Sequence, residues 1–293
     1  MRMSPLSGSA IMGKLTVAVS TTFICLLLAV SACTPESSTN TVSTAKSSEQ
    51  TQTLRIAAAA NLSDVLPDII DDYKADNHSA GQQVEVTYAS SGKLYAQIKA
   101  GAPYDVFLSA NQAFPAKLAK EMTVNMTDQN NVTYRPFTYA QGQLALYSVT
   151  QSLEGFDPTT LNDLLMSSPH SKITIANPKL APYGASAQAY LQAQNLYDDL
   201  TEQKRVIKAE NIGQAFQYAH TGSVDYGLVA QSQLTAIKAT PEQFMTLPPA
   251  SYPAILQDGI VISDQAGAVD FADYLRSTAG RQHFMRAGYL SIQ

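Results

Sequence analysis

The chain has 293 residues, of which 45% are hydrophobic and 15% are charged, a balance typical of a globular protein. Its 19 basic and 24 acidic residues give a net charge of −5, and this acidic balance argues against nucleic acid as a partner. The length allows two α/β lobes of ordinary domain size, and the lack of a repeat of fixed period argues against a solenoid.

Residues 1–32 form an export signal. Arg2 and Lys14 supply the positive charge, an apolar stretch follows, and small residues precede Cys33. The end of this segment resembles a bacterial lipobox, which implies that residues 1–32 are a lipoprotein signal peptide and that Cys33 carries the lipid. The alternative is an ordinary cleaved signal with an accidental cysteine. The apolar stretch is short for a membrane span, which needs roughly 20 residues, so we expect only an N-terminal anchor.

Residues 33–52 are almost all Ser, Thr, Gln and other small polar types. Such a segment cannot bury enough apolar surface to offset the entropy of ordering it. We therefore expect residues 33–52 to form a flexible tether and the folded part to begin near Thr53.

The first elements of the folded part alternate between strands and helices. The patterns predict strands at 54–58, 84–88 and 105–110, a helix from Asp64 to Ala75 capped by Ser63, and a second helix capped by Ser90 or Ser91 that ends at Gly101. A strand, helix, strand, helix, strand order predicts a parallel sheet with right-handed crossovers.

Two strand-to-helix turns point to a ligand class. At Ala57–Ser63 and at Tyr88–Leu94, a strand pattern stops at small polar residues and a helical pattern begins at once. Helix N-termini carry unpaired N–H groups and the positive end of the helix dipole. Two such ends that converge would form an anion site without a basic side chain.

A second group of elements follows from residue 143. Strands are predicted near 144–148, 172–176, 206–209 and 225–230, and helices at 161–165, at 185–194 after a turn at 181–184, and at 212–220 behind Asn211 as its cap. Residues 252–262 and 269–287 return to the first lobe. The predicted fold is a two-lobed α/β clamshell with mainly parallel sheets and two crossover segments. Lobe I comprises residues 53–140 and 248–293, and lobe II comprises residues 141–247.

Several motifs in this order resemble a known family. They are Ala57–Ser63, Tyr88–Leu94, Gly101–Ala110, Asn177–Pro178, Gly184–Ala185, Glu210–Ile212 and Asp225–Val229. Each is weak alone, but their order and spacing look like those of periplasmic molybdate-binding proteins of ABC importers, over most of residues 53–293. The resemblance implies the periplasmic-binding-protein clamshell of that family.

The resemblance also implies an oxyanion-binding set of Asn61, Ser91, Tyr183 and Ile212, the last through its backbone N–H. Taken singly, the first two are equally typical of turn or capping chemistry, Tyr183 of an interface aromatic, and Ile212 of a core residue. The sequence departs from some relatives at Ala230, where they carry a tyrosine whose phenol reaches the anion. Tyr183 stands where those relatives have a small residue, so we expect one phenol to replace the other.

The donor chemistry favours a fully deprotonated tetrahedral dianion. N–H and O–H groups can satisfy every oxygen of a buried dianion, and none of the matched positions supplies the carboxylate that a protonated anion such as phosphate would need. We therefore expect a lipid-anchored, exported solute-binding protein that captures molybdate or tungstate for an ABC permease in the membrane. A binding protein for another oxyanion such as sulfate, or a surface interaction lipoprotein that retains the fold, remains an alternative.

The sequence gives little support for an enzymatic function. Its four histidines lack the spacing of metal ligands, and it contains neither a Gly-x-Ser-x-Gly elbow nor a phosphate-loop lysine. We expect a monomer without a cofactor, without direct cation ligands and without catalytic residues.

Overall fold

The computed structural model describes residues 53–75, 81–125, 134–157 and 159–292. The predicted signal peptide, Cys33 and the tether lie outside the described residues. Within the described ranges, no helix is long and apolar enough to cross a membrane.

Ten strands occur in these ranges. In chain order they are β1 (Leu54–Ala59), β2 (Val84–Ala89), β3 (Val106–Leu108), β4 (Phe137–Gly142), β5 (Leu144–Tyr147), β6 (Ile173–Ala176), β7 (Val206–Ala209), β8 (Tyr226–Ala230), β9 (Phe244–Thr246) and β10 (Ile255–Val261).

Ten α-helices accompany them in the same ranges. They are α1 (Leu66–Ala75), α2 (Ser91–Lys99), α3 (Ala113–Asn125), α4 (Leu161–Ser167), α5 (Pro182–Ala193), α6 (Tyr197–Glu202), α7 (Ile212–His220), α8 (Gln231–Ala236), α9 (Ala266–Arg276) and α10 (Thr278–Arg286). Two short 3-10 helices lie at Ala60–Leu62 and Pro249–Ser251.

The strands form two five-stranded sheets, in the orders β2-β1-β3-β10-β4 and β7-β6-β8-β5-β9. We call the elements around the first sheet lobe I and those around the second sheet lobe II. In each sheet two neighbouring pairs are parallel and two are antiparallel, so the sheets are mixed. The predicted two-lobed α/β fold class is confirmed, but the sheets are not mainly parallel as predicted, because β10 in the first sheet and β5 in the second pair antiparallel with both of their neighbours. The exact lobe boundaries stay a prediction.

The core of lobe I lies around β1 and the helix α1 that follows it. β1 is buried at every position except Arg55, as expected for a strand covered on both faces. Helix α1 places Leu66, Ile69 and Ile70 against the sheet and leaves Asp68 exposed. This packing fixes the carboxyl end of β1, where Asn61 follows.

Two predicted helix boundaries were wrong. The helix expected from Asp64 is a 3-10 helix at Ala60–Leu62 followed by α1 from Leu66, and Ser63 closes the 3-10 helix instead of capping α1. Pro67 is tolerated only in the first turn of a helix, which sets the later start. Similarly, the predicted turn at Ala181–Gly184 is the beginning of α5, with Pro182 at its first position.

Candidate anion-binding site

A small cavity lies where elements of the two lobes meet, and its volume is about 10 Å³. This volume is below the roughly 300–1,000 Å³ of typical organic-ligand pockets. All four residues that the sequence predicted as ligands line it. The complete lining is Ala59, Ala60, Asn61, Ala89, Ser90, Ser91, Ala110, Ala181, Pro182, Tyr183, Asn211 and Ile212.

Three helices begin at this cavity. Ser91 is the first residue of α2, Pro182 of α5 and Ile212 of α7. The first N–H groups of a helix have no partner within the helix, and the helix dipole places partial positive charge there. The cavity therefore receives the positive ends of one helix from lobe I and two from lobe II.

The lining carries no formal charge, because it consists only of Ala, Asn, Ser, Pro, Tyr and Ile. In the part of the chain that the structure describes, no group of three or more His, Cys, Asp or Glu side chains is placed to hold a metal cation. Neutral dipoles can stabilise an anion without leaving unpaired buried cations in the empty protein. The arrangement suits an anion and not a cation.

Ser91 is buried and its hydroxyl is held in place from lobe I. The backbone N–H of Ala110 donates to Ser91 Oγ over 2.9 Å, so the hydroxyl oxygen is engaged and its hydrogen remains for another acceptor. Ser91 is thus the first residue of α2 and not its cap. Ala110 supports Ser91 and is itself part of the lining.

Asn61 is also buried, and hydrogen bonds hold both of its amide hydrogens. Its Nδ2 donates to Gln257 Oε1 and to Tyr289 Oη, each over 2.9 Å. Its Oδ1 is buried and has no hydrogen-bond partner among the residues that the structure describes. The side chain is at the cavity, but in this arrangement its unengaged atom is an acceptor.

Tyr183 is the second residue of α5 and its side chain is fully buried. Its hydroxyl accepts a hydrogen bond from Gln257 Nε2 over 3.2 Å. Burial, with a smaller contribution from nearby Tyr289, raises the pKa of the Tyr183 phenol well above its ordinary value. The phenol therefore stays protonated at neutral pH and can act as a neutral donor.

Ile212 has its side chain in the lobe II core and its backbone at the start of α7. The helix is capped by Asn211, whose side chain accepts from the N–H of Gln214 over 2.9 Å. This cap takes the third N–H of the helix and leaves the N–H of Ile212 without an intrahelical partner. The backbone N–H of Ile212 can therefore donate to a bound anion, which is the role that the sequence predicted.

Ionic contacts from both lobes lie beside the lining. Glu210 of lobe II accepts a hydrogen bond from Ser90 Oγ over 3.2 Å, and its carboxylate lies 3.7 Å from Lys93 Nζ. Both Ser90 and Lys93 belong to the start of α2 in lobe I. The sequence predicted Ser90 as a possible cap, but it makes no capping bond and contacts Glu210 instead.

A larger groove of about 480 Å³ elsewhere on the protein is a poor anion site. It is lined by four carboxylates, those of Asp64, Asp68, Asp71 and Asp72, beside His283 and Arg286. Burial raises the pKa of Asp64, but the groove remains predominantly acidic. A dianion is favoured in the smaller cavity.

Comparison with known proteins is consistent with this geometry. Residues 54–290 match the model of the bacterial extracellular solute-binding protein family. The chain belongs to this family. The match spans all described strands and helices, and together with the relatives and the solved structure described next it confirms the resemblance found in the sequence motifs.

Individual members of the solute-binding family extend the comparison. The molybdate-binding protein ModA of Azotobacter vinelandii is 31% identical over 247 residues, which cover 82% of this chain and 90% of that protein. ModA of Rhodobacter capsulatus is 31% identical over 72% of this chain and 79% of its own length.

Solved structures give the same fold. The periplasmic molybdate-binding protein of Azotobacter vinelandii superposes with a TM-score of 0.71 at 30% identity, covering 82% of this chain and all of that chain. The sulfate-binding protein SubI of Mycobacterium tuberculosis gives a TM-score of 0.61 at 15% identity, over 81% of this chain and 86% of its own. The second likeness concerns the fold alone.

Residues behind the cavity were missed by the sequence motifs. Gln257 and Tyr289 contact Asn61, and Tyr139 contacts Gln257, but none of the three belongs to a recognisable motif. Ala230, where the resemblance implied a tyrosine in some relatives, is buried at the end of β8 and is not part of the cavity lining.

Proposed function

We propose that this protein is an extracytoplasmic substrate-binding protein that captures molybdate or tungstate for an ABC importer. The observation that carries the proposal is the convergence of three helix N-termini on one small, uncharged cavity. The proposed ligands are Asn61, Ser91, Tyr183 and the backbone N–H of Ile212. The similarity to two molybdate-binding proteins over most of their lengths supports the same ligand class.

The chemistry of the lining selects among anions. A buried anion with an attached proton needs an acceptor for that proton; the lining has no carboxylate, and Asn61 Oδ1 supplies an acceptor only in the amide orientation that withdraws the Asn61 donor. Tetrahedral anions that are fully deprotonated at neutral pH are therefore favoured over phosphate. Molybdate and tungstate share this property with sulfate. We therefore propose that the closed cavity fits the two larger anions and that the smaller sulfate contacts its donors poorly.

Isothermal titration calorimetry tests the proposal. The folded protein is titrated with molybdate, tungstate, sulfate and phosphate at the same pH and ionic strength. We expect binding of molybdate and tungstate, weak or no binding of sulfate, and none of phosphate. A preference for sulfate would replace the proposed ligand, and no heat with any oxyanion would refute anion capture and leave a surface interaction lipoprotein as the better account.

The proposed mechanism is capture without chemistry. The anion enters between the lobes, the helix N-termini and hydroxyls surround it, and closure of the two lobes presents a surface to the permease. We propose a monomer that acts as a binding protein and not as an enzyme. Light scattering during size-exclusion chromatography, with and without molybdate, tests the monomer.

We also propose that the mature protein is anchored by a lipid on Cys33. The support is the sequence of the predicted signal segment and the preceding small residues. Membrane fractionation of cells that express the full chain tests this proposal, with Cys33→Ala as the variant. We expect the wild type with the membranes and the variant in the soluble exported fraction; a variant that stays with the membranes would refute the anchor.

A further inference from the structure

A buried amide, that of Gln257, joins two of the proposed ligands. Gln257 lies in β10 and is fully buried. Its Oε1 accepts from Asn61 Nδ2 over 2.9 Å and from Tyr139 Oη over 3.1 Å, and its Nε2 donates to Tyr183 Oη over 3.2 Å. Asn61 belongs to lobe I and Tyr183 to lobe II. One side chain therefore contacts a proposed ligand from each lobe.

The directions of these bonds decide which ligand can donate. Asn61 uses its two amide hydrogens on Gln257 and Tyr289, and its Oδ1 has no hydrogen-bond partner in the described ranges. Tyr183 accepts from Gln257, so its own hydroxyl hydrogen remains for the cavity. An oxyanion offers only acceptors. In this arrangement Tyr183 can donate to the anion and the Asn61 side chain cannot.

Rotation of both amides by 180° gives a second arrangement with the opposite property. Gln257 Nε2 would then donate to Asn61 Oδ1, and Gln257 Oε1 would require the hydroxyl hydrogen of Tyr183. The Nδ2 group of Asn61 would take the position of the present Oδ1 and would be able to donate to the anion. Rotation of Asn61 alone would place its Oδ1 against Gln257 Oε1, two acceptors at hydrogen-bond distance, which is unfavourable.

Tyr139 accommodates both arrangements. Tyr139 Oη lies 2.9 Å from the carbonyl oxygen of Ser109 and 3.1 Å from Gln257 Oε1, yet a hydroxyl has only one hydrogen to give. After the rotation Tyr139 would donate to Ser109 and accept from Gln257. The second arrangement thus removes both the competition at Tyr139 and the unpartnered oxygen of Asn61, and it uses the hydroxyl hydrogen of Tyr183. It also requires Tyr289 Oη, which donates to the Asn61 carbonyl oxygen over 2.8 Å, to turn its one hydrogen to Asn61 Oδ1.

We propose that Gln257 is a positioning residue of the anion site and that the orientation of its amide allows either Tyr183 or Asn61, but not both, to donate a side-chain hydrogen bond to the bound anion. The two residues then act as alternative donors, and loss of one leaves the other available. The inference rests on the proposed function for its ligand, but its hydrogen-bond coupling exists in the ligand-free protein.

A double-mutant cycle tests the alternation. Molybdate affinities are measured for the wild type, Asn61→Leu, Tyr183→Phe and the double variant. We expect each single variant to lose affinity modestly and the double variant to lose at least about five-fold more than the product of the single losses. Ser91→Ala with Tyr183→Phe is the matched control pair, and its losses should multiply. A double variant equal to the product of its singles would overturn the proposal.

A second measurement needs no ligand and covers the case in which Asn61→Leu does not fold. The side-chain amide resonances of Asn61 are observed in ¹⁵N-labelled, ligand-free protein. Tyr183→Phe keeps the ring and removes only the hydroxyl that Gln257 contacts, so we expect a change at Asn61 through the contact that both residues make with Gln257. Tyr190→Phe, which alters another buried tyrosine of α5, is the control.

We expect Tyr183→Phe to shift the Asn61 amide resonances and Tyr190→Phe to leave them in place. Unshifted resonances in Tyr183→Phe would overturn the coupling whatever the ligand is. The absence of molybdate binding by the wild type would refute the proposed function, and these resonances would still decide on Gln257.

Discussion

The hydroxyl of Tyr183 occupies the space that a side chain on Gly142 would need. A Cβ atom built on Gly142 would lie 2.1 Å from Tyr183 Oη and 2.7 Å from its ring carbon Cζ. Gly142 ends β4 of the first sheet, and β5 of the second sheet begins two residues later at Leu144. The chain therefore crosses between the sheets directly beside a proposed ligand, and the crossing needs glycine there.

Gly142→Ala should displace the Tyr183 phenol and weaken molybdate binding. Overpacking of this kind costs about 1–3 kcal/mol, and we expect a loss of affinity together with a loss of stability, measured by calorimetry and urea unfolding. Gly227→Ala is the control, because its Cβ would meet the Ala219 side chain at 2.8 Å within lobe II. The control should lose stability and keep its affinity. Wild-type affinity in folded Gly142→Ala would contradict this account.

Ser91→Ala should reduce both stability and anion affinity. The variant leaves the buried N–H of Ala110 without its acceptor, which costs about 1–3 kcal/mol of unfolding free energy. It also removes a donor to a charged ligand, and hydrogen bonds of that kind contribute about 1.5–3 kcal/mol, or roughly 10–100-fold in affinity.

Ser186→Ala separates these two effects. Its hydroxyl donates to the carbonyl of Pro253 over 3.0 Å, and Ser186 is buried but does not line the cavity. We expect it to lose stability alone. If the two variants bind molybdate equally well, Ser91 is a structural serine and not a ligand.

The cavity lining could be predicted from sequence because its signals are local. Asn61 and Ser91 each follow a strand and lie in the first turn of a helical segment, so a few adjacent residues are enough to predict each of these two turns. Tyr183 and Ile212 needed the order and spacing of several motifs, since each alone is typical of a buried core residue. All four line one cavity, and their contact with an anion stays a prediction.

The support behind the lining could not be predicted in the same way. Gln257 reaches Asn61 because β10, near the end of the chain, pairs between β3 and β4. Tyr289 reaches Asn61 from 228 positions away in the sequence. Neither residue has a motif or a periodicity that marks it, so only the tertiary arrangement identifies the hydrogen bonds. The start of α5 was not predicted, because the local sequence has two interpretations: Pro182 and Gly184 are as typical of a turn as of the first residues of a helix.

Glu210→Gln should accelerate anion capture at low salt. Glu210 places a partly exposed carboxylate beside the cavity lining, next to Asn211. Its negative charge opposes the approach of a dianion, whereas glutamine keeps an acceptor for Ser90. We expect a few-fold higher association rate at low ionic strength in stopped-flow measurements, with a smaller gain at 0.15 M salt, where the Debye length is about 8 Å.

Glu202→Gln provides the matched charge change for this experiment. Glu202 is exposed at the end of α6 and does not line the cavity. It should leave the association rate close to that of the wild type. Equal acceleration by both variants would assign the effect to net charge and not to the position of Glu210.

The fold should lose stability steeply above about pH 10, because three tyrosines around the cavity are buried as neutral phenols. Burial raises the pKa of Tyr139 and Tyr183 well above the ordinary value and that of Tyr289 to about 12. An unfolded chain releases these protons near pH 10, whereas the folded chain retains them. Their contribution to stability is therefore complete below pH 10 and is lost as the pH rises through the folded pKa values, by up to about 1.4 kcal/mol per pH unit for each tyrosine.

Urea unfolding between pH 8 and 11 measures how the free energy of unfolding changes with pH. Tyr183→Phe should reduce the number of protons released on unfolding by about one. A slope that is unchanged in Tyr183→Phe would mean that this phenol ionises in the folded protein as readily as in the unfolded chain, and it could not then be a neutral donor to an anion at high pH.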